Sequence, residues 1–251
     1  MGKIKRIKEL LKCNIAKTIR FNFKMLPFKQ AAKLPVLFYG KTDFRSLNGK
    51  VLIKGPIYTG KIKVGPKHIY VDNSIQNNIW TIDGTIVFDG PVRIFRGSYI
   101  LVAKNALLEI NSKPEESNIT KIGSNTKIFC FNHIRIGYCC RIAWECQIYD
   151  TSFHYLELLN SGNEIQPLSS PVVIGNRVWL GNRSTVSKGA VIPDDTVVAS
   201  NSLVNKDFSY EPYSMLAGCP AQVKRTGIRR IYDKKQEKEL DTKFNYPRTG
   251  L

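Results

Sequence analysis

Residues 174–206 read IGNRVWLGNRSTVSKGAVIPDDTVVASNSLVNK, and the aliphatic positions in this stretch decide the fold. Ile174, Leu180, Val186, Ile192, Val198 and Val204 recur at an unbroken interval of six. An amphipathic helix repeats at three, four and seven, and an alternating strand at two. An interval of six instead gives each short strand one inward side chain with a turn before the next strand, which predicts a β-solenoid. Gly175, Gly181 and Gly189 lie between the aliphatic positions, as do Asn182, Pro193, Asp194, Asp195 and Asn201. They are expected at corners, where φ is often positive. Three such faces close a triangular coil of about 18 residues.

Upstream, the same interval links Ile136, Ile142 and Ile148, and in another phase Ile122 and Ile128. It recurs at Ile82, Phe88, Ile94, Ile100 and Ala106, with Gly84, Gly90 and Gly97 near the corners. A single coil cannot bury its apolar face, so stacking supplies the core. The reading therefore places a solenoid over 49–206, interrupted by 150–171, DTSFHYLELLNSGNEIQPLSSP, as a protruding loop. Loops carried on a rigid wall are where chemistry concentrates. Residues 1–48 form a basic, partly helical segment, since Ile4, Ile7, Leu11, Ile15 and Ile19 keep helix spacing and Pro27 and Pro35 close it off. Residues 207–251 are a C-terminal extension with a short helix.

The chain has 251 residues, 43% of them hydrophobic, enough for a real core and against disorder. No run of about 18 apolar residues and no signal-peptide pattern is found, so a cytoplasmic protein is expected. Lys and Arg number 38 against 20 Asp and Glu, a net charge of +18. A field of that sign attracts phosphates, nucleic acid or an anionic bilayer. Residues 1–34 carry ten basic side chains against the single acid Glu9, which suggests peripheral membrane contact or a helix capping the solenoid. Nucleic acid is not the expected partner, because the basic segment lacks the interleaved aromatic platform of single-strand binders. The six cysteines form no pair of CxxC knuckles and read as reduced thiols. No metal site is expected.

The run Ile174-Gly175-Asn176-Arg177-Val178-Trp179-Leu180-Gly181, followed by Asn205-Lys206-Asp207 and Ala217-Gly218-Cys219-Pro220-Ala221, resembles the hexapeptide-repeat acyltransferases. The likeness is to sugar O-acetyltransferases of the maltose and galactoside type and their relatives in surface-polysaccharide clusters, and covers roughly 120–226. It implies an all-β, left-handed parallel β-helix that works as a homotrimer, with an active site between subunits. It also implies acetyl-CoA as donor, a sugar or glycan hydroxyl as acceptor, and a place in capsule, polysaccharide or lipopolysaccharide biosynthesis.

By the same resemblance His154 is the general base. Asp150 or Glu145 is the candidate to orient it. The donor is expected to lie along Trp179, Asn182, Ser200, Asn205, Lys206 and Arg225, and the acceptor near Asn132 and Trp144. Asn182 and Ser200 replace small residues of the family pattern, and Gln222 replaces a basic one. The chemistry suits the residue: a sugar hydroxyl is too weak an acid to ionise alone, and a neutral imidazole can take its proton while the oxygen attacks the thioester carbonyl. Alternatives are a non-catalytic solenoid scaffold or membrane adaptor, and an N-acyltransferase acting on an amino sugar. A solenoid carbonic anhydrase would need three converging histidines, and His68, His133 and His154 are widely scattered.

Overall fold

A computed structural model describes residues 3–67, 76–113, 119–209 and 211–246. Its body is three parallel sheets that the chain visits in rotation, of nine, seven and six strands. Strands Val172–Ile174, Trp179–Leu180 and Thr185–Val186 fall in the third, first and second sheets, and Val191–Ile192, Val197–Val198 and Leu203–Val204 repeat the order. Ile174 pairs with Ile192, Leu180 with Val198 and Val186 with Val204, so each circuit here returns the chain to the same face after three steps of the interval. All six aliphatic residues of the opening stretch are at most 1% exposed. Each contributes about 1.5–3 kcal/mol through burial. Ile82, Phe88, Ile94, Ile100, Ile122, Ile128, Ile136, Ile142 and Ile148 point into the same core. Ala106 is buried at a corner, and Leu108 and Ile110 take the inward places of the strand that follows.

The stack begins before the expected boundary at residue 49. Val36–Phe38 already pairs with Ile62–Val64 in the first sheet. The circuits from Val36 to Ile62 and from Ile62 to Val92 are both longer than the one from Ile174 to Ile192, because the corners of the first coils hold extra chain that masks the interval of six. The stack also continues past 206, where Ser214–Gly218 joins Val197–Val198 and turns back as the antiparallel strand Ala221–Thr226.

Of the corner glycines, Gly90 (111°), Gly97 (77°) and Gly189 (76°) have the expected positive φ, and two others work differently. Gly175 and Gly181 do not carry the positive φ, which falls on Arg177 (55°), Arg183 (60°), Asp195 (57°) and Asn201 (58°). They are needed for close approach between coils. A Cβ on Gly175 would stand 2.7 Å from the Asp194 backbone nitrogen, and one on Gly181 2.5 Å from that of Ser200.

Helix α1 spans Lys3–Lys12, α2 Ile15–Met25 and α3 Phe28–Ala31, and α4, Lys234–Lys243, lies in the C-terminal extension. Asn14 caps α2 by accepting a hydrogen bond from the Lys17 N–H at 3.1 Å. The buried face of α2, Thr18, Phe21, Asn22 and Met25, covers the end of the core. There Phe21 packs against Phe38, Phe44 and Trp80 with ring centroids 4.9–5.6 Å apart. Among the described residues no helix is long and apolar enough to cross a membrane.

Candidate active site

The excursion between Gln147–Tyr149 and Val172–Ile174 is a hairpin, with Leu156–Leu158 antiparallel to Glu164–Gln166. It leaves the wall at the corner between the second and third sheets. Its stem is zipped: Thr151 bridges Ser169, the Ser152 N–H donates to Leu168 O at 2.9 Å, and the Ser170 N–H to Asp150 O at 2.9 Å. Lys188, on the same corner of a later coil, ties the stem down by donating to Pro167 O at 2.6 Å and Ser152 Oγ at 3.2 Å.

His154 follows Phe153, whose φ of 60° is unusual for a bulky residue. The strained turn is held by aromatic packing, with the Phe153 ring 5.7 Å from Phe131 and 6.1 Å from both Phe129 and Tyr149. His154 itself is exposed, and its ring has no hydrogen-bond partner among the described residues. Sequence reasoning does not single out Phe153 or Lys188. The signal for them is the gathering of Phe129, Phe131, Tyr149 and Phe153 near one corner, which becomes visible only once the coil register is known.

Neither carboxylate expected to orient His154 touches it. Strand alternation continues from Ile148 and turns Asp150 into the wall, fully buried. Its oxygens accept from the N–H groups of Phe131 at 2.7 Å and Asn132 at 2.8 Å, with the Cys130 thiol at 3.6 Å. The thiol's pKa is pushed up by burial and by that neighbouring carboxylate. Glu145 sits on the corner between the first and second sheets, where it bonds Arg183 Nε at 2.8 Å.

The other anticipated residues divide between the two edges of the second sheet. Asn132 stands with His154, its Nδ2 3.4 Å from Ser169 Oγ. Asn205 and Lys206 leave the strand Leu203–Val204 at that same edge, two coils further along, and Lys206 Nζ lies 5.0 Å above the Phe208 ring. At the opposite edge Ser200 Oγ bonds Asn182 Oδ1 at 2.6 Å, joining two coils. Trp179, 43% exposed, and half-buried Trp144 line one hollow of about 140 Å³ beside this edge. Trp144 is therefore grouped with the expected donor residues and separated from Asn132. Arg225 is exposed on Ala221–Thr226, opposite Met215.

Outward residues of the first sheet form a cationic column, with Arg93, Lys121 and Arg141 in register. Burial, then the charges of Arg141 and Arg93, lower the pKa of Lys121 to about 8. Burial lowers that of Arg141 to about 10. Cys140 and Cys146 are pushed up to about 12 by burial, which leaves them unreactive core thiols. His133 is committed to Glu109 at 2.8 Å, and His68 lies outside the described residues. No group of three metal-ligating side chains occurs among the described residues.

No family model matches the chain. It is 36% identical over 77 residues to a chloramphenicol acetyltransferase of Agrobacterium fabrum, a match to 31% of this chain and 34% of that protein. It is 38% identical over 66 residues to the galactoside O-acetyltransferase of Escherichia coli, covering 26% and 30%. The chain thus spans about a third of the length of these curated relatives. The crystal structure of the polySia-specific acetyltransferase NeuO aligns with 84% of this chain and 82% of its own, at a TM-score of 0.53 and 20% identity, a likeness of fold. The chain thus carries a stretch similar in sequence to acetyltransferases, and it shares with NeuO a fold whose wall here is three parallel sheets visited in rotation.

Proposed function

We propose that the protein is an acetyl-CoA-dependent O-acetyltransferase that acetylates a sugar hydroxyl of a surface polysaccharide or lipopolysaccharide precursor. The observation that carries the reading is the presentation of His154, the only histidine on the excursion, at a corner braced by Phe153, Asp150 and Lys188. The acetyltransferase relatives supply the class of reaction, and the sugar substrates in two of their names supply the class of acceptor.

In this mechanism neutral His154 takes the hydroxyl proton as the sugar oxygen attacks the thioester carbonyl. The tetrahedral adduct collapses, the C–S bond breaks, and the proton returns to the CoA sulfur. No acyl-enzyme forms. Asn182, Ser200 and the tryptophan-lined hollow would receive the pantetheine arm, and Lys206 and Arg225 its phosphates. Within one chain His154 and the Asn182–Ser200 pair stand at opposite edges of a sheet whose strand there, 145 to 150, spans roughly 16 Å. A complete site is therefore assigned to the seam between two copies in a homotrimer, the left-handed β-helical assembly that the resemblance implies.

Calorimetric titration with acetyl-CoA at about 150 mM salt, which suppresses loose attraction to a cationic surface, tests the donor half. Saturation near one site per chain is expected, with weaker binding by the Lys206→Ala, Arg225→Ala variant. His154→Ala should keep this binding and lose roughly 10²–10⁴-fold in transfer to a sugar acceptor. Undiminished transfer by that variant would assign the base elsewhere, and absence of donor binding would favour a scaffold.

A further inference from the structure

Helix α1 is docked by its polar side. Glu9 accepts from Tyr39 Oη at 2.6 Å and from Lys63 Nζ at 2.7 Å, and these bonds hold its pKa below the ordinary carboxylate value. The apolar residues Ile7 and Leu11 consequently face away from the protein, 56% and 80% exposed. A helix that served only to cap the core would turn them inward.

Helix α2 continues the pattern. One face enters the core, while Ile15, Ile19 and Phe23, spaced by four, form a second apolar stripe, each 46% exposed. Phe28, 75% exposed, packs edge-to-face with Phe23 at 5.8 Å and lengthens the stripe. On α2 the basic residues Lys17, Arg20 and Lys24 lie on a third face, at 140–200° where the stripe lies at 0–80° by helix geometry of about 100° per residue.

We infer that α1 and α2 form a docking surface for an anionic lipid bilayer, with Ile7, Leu11, Ile15, Ile19 and Phe23 entering its interface and the surrounding cations meeting its headgroups. Charge selects this occupant. Residues 3–29 carry nine Lys and Arg, and their one acid, Glu9, is neutralised by Lys63. A second copy would bring the same charge to the same face. Beneath α1 a hollow of about 490 Å³, which Lys12 also lines, adds Arg93 and Arg96 to this charge. The excess charge is thus left for an external anion. An exposed apolar stripe beside a cationic face is the pattern of helices that lie in a membrane interface.

Co-sedimentation of the full chain with vesicles at about 150 mM salt tests the inference, comparing phosphatidylcholine alone with phosphatidylcholine containing about 30% phosphatidylglycerol. Binding should be confined to the anionic vesicles. It should fall at least about tenfold in Ile7→Asp, Leu11→Asp, and again in Lys17→Glu, Lys24→Glu. These residues are on the surface, so thermal midpoint and acetyl-CoA affinity should be unchanged, which separates failure of this inference from failure of the transferase reading. Three results would overturn it: no binding to anionic vesicles, binding indifferent to the Ile7 and Leu11 changes, or a lipid-free oligomer that those changes dissolve.

Discussion

Asp150 and His154 are four residues apart and face opposite ways, one into the wall and the other into solvent. Removing the Asp150 carboxylate would leave the N–H groups of Phe131 and Asn132 without their acceptor. Each such loss costs about 1–3 kcal/mol. Asp150→Ala should therefore lower the urea midpoint by an amount equivalent to at least about 2 kcal/mol, while turnover per folded molecule stays near wild type. A large fall in turnover at unchanged stability would show that the carboxylate acts on the imidazole after all. The place of His154 on a loop that breaks a strict interval is legible, whereas its role as base comes only from the family resemblance. The role of Asp150 is not, because its nearness to His154 in sequence points to the imidazole while strand alternation after Ile148 already turns it inward. Ser200 and Asn182 are legible as neighbours on successive coils, and they do meet.

At the scale of elements, the interval of six is readable only where the corners are short. From Ile174 to Val204 the circuits have the same length, and the inward side chains follow without a gap. In the first coils Val36, Ile62 and Val92 stack directly although their separations are longer and unequal, so no fixed interval marks them. The column Arg93, Lys121 and Arg141 cannot be foreseen for the same reason, since register across irregular coils is set by packing. It has a measurable effect. Lys121, at about 8 in the folded protein against an ordinary 10.5, takes up a proton on unfolding between those values. Stability from this group therefore rises as pH increases through that window, by about 1.4 kcal/mol per pH unit at most. Lys121→Met should be more stable than wild type at pH 7, and its advantage should shrink as pH approaches 10.5. A gap that is the same at both pH values would rule out a buried, repelled ammonium as its source.

For the whole molecule, the net charge of +18 is distributed unevenly, and the helical end of the stack carries both its densest cations and its most exposed apolar residues. Sequence alone places the basic helical segment but does not decide between a core cap and a membrane contact. The structure divides the helix between two faces: α2 covers the core with Phe21 and Met25 and turns Ile15, Ile19 and Phe23 outward. Such a division is invisible to hydrophobic content, because only packing decides which apolar stripe is buried.

The separation of His154 from the Asn182–Ser200 pair across one sheet has a genetic consequence. If neighbouring copies each supply one half of a reaction centre, two individually inactive alleles can rescue one another. Chains carrying His154→Ala, mixed by co-expression with chains carrying Asn182→Trp, should regain about a quarter of wild-type activity under random assembly. Separately purified and never allowed to exchange, the same two populations should remain silent.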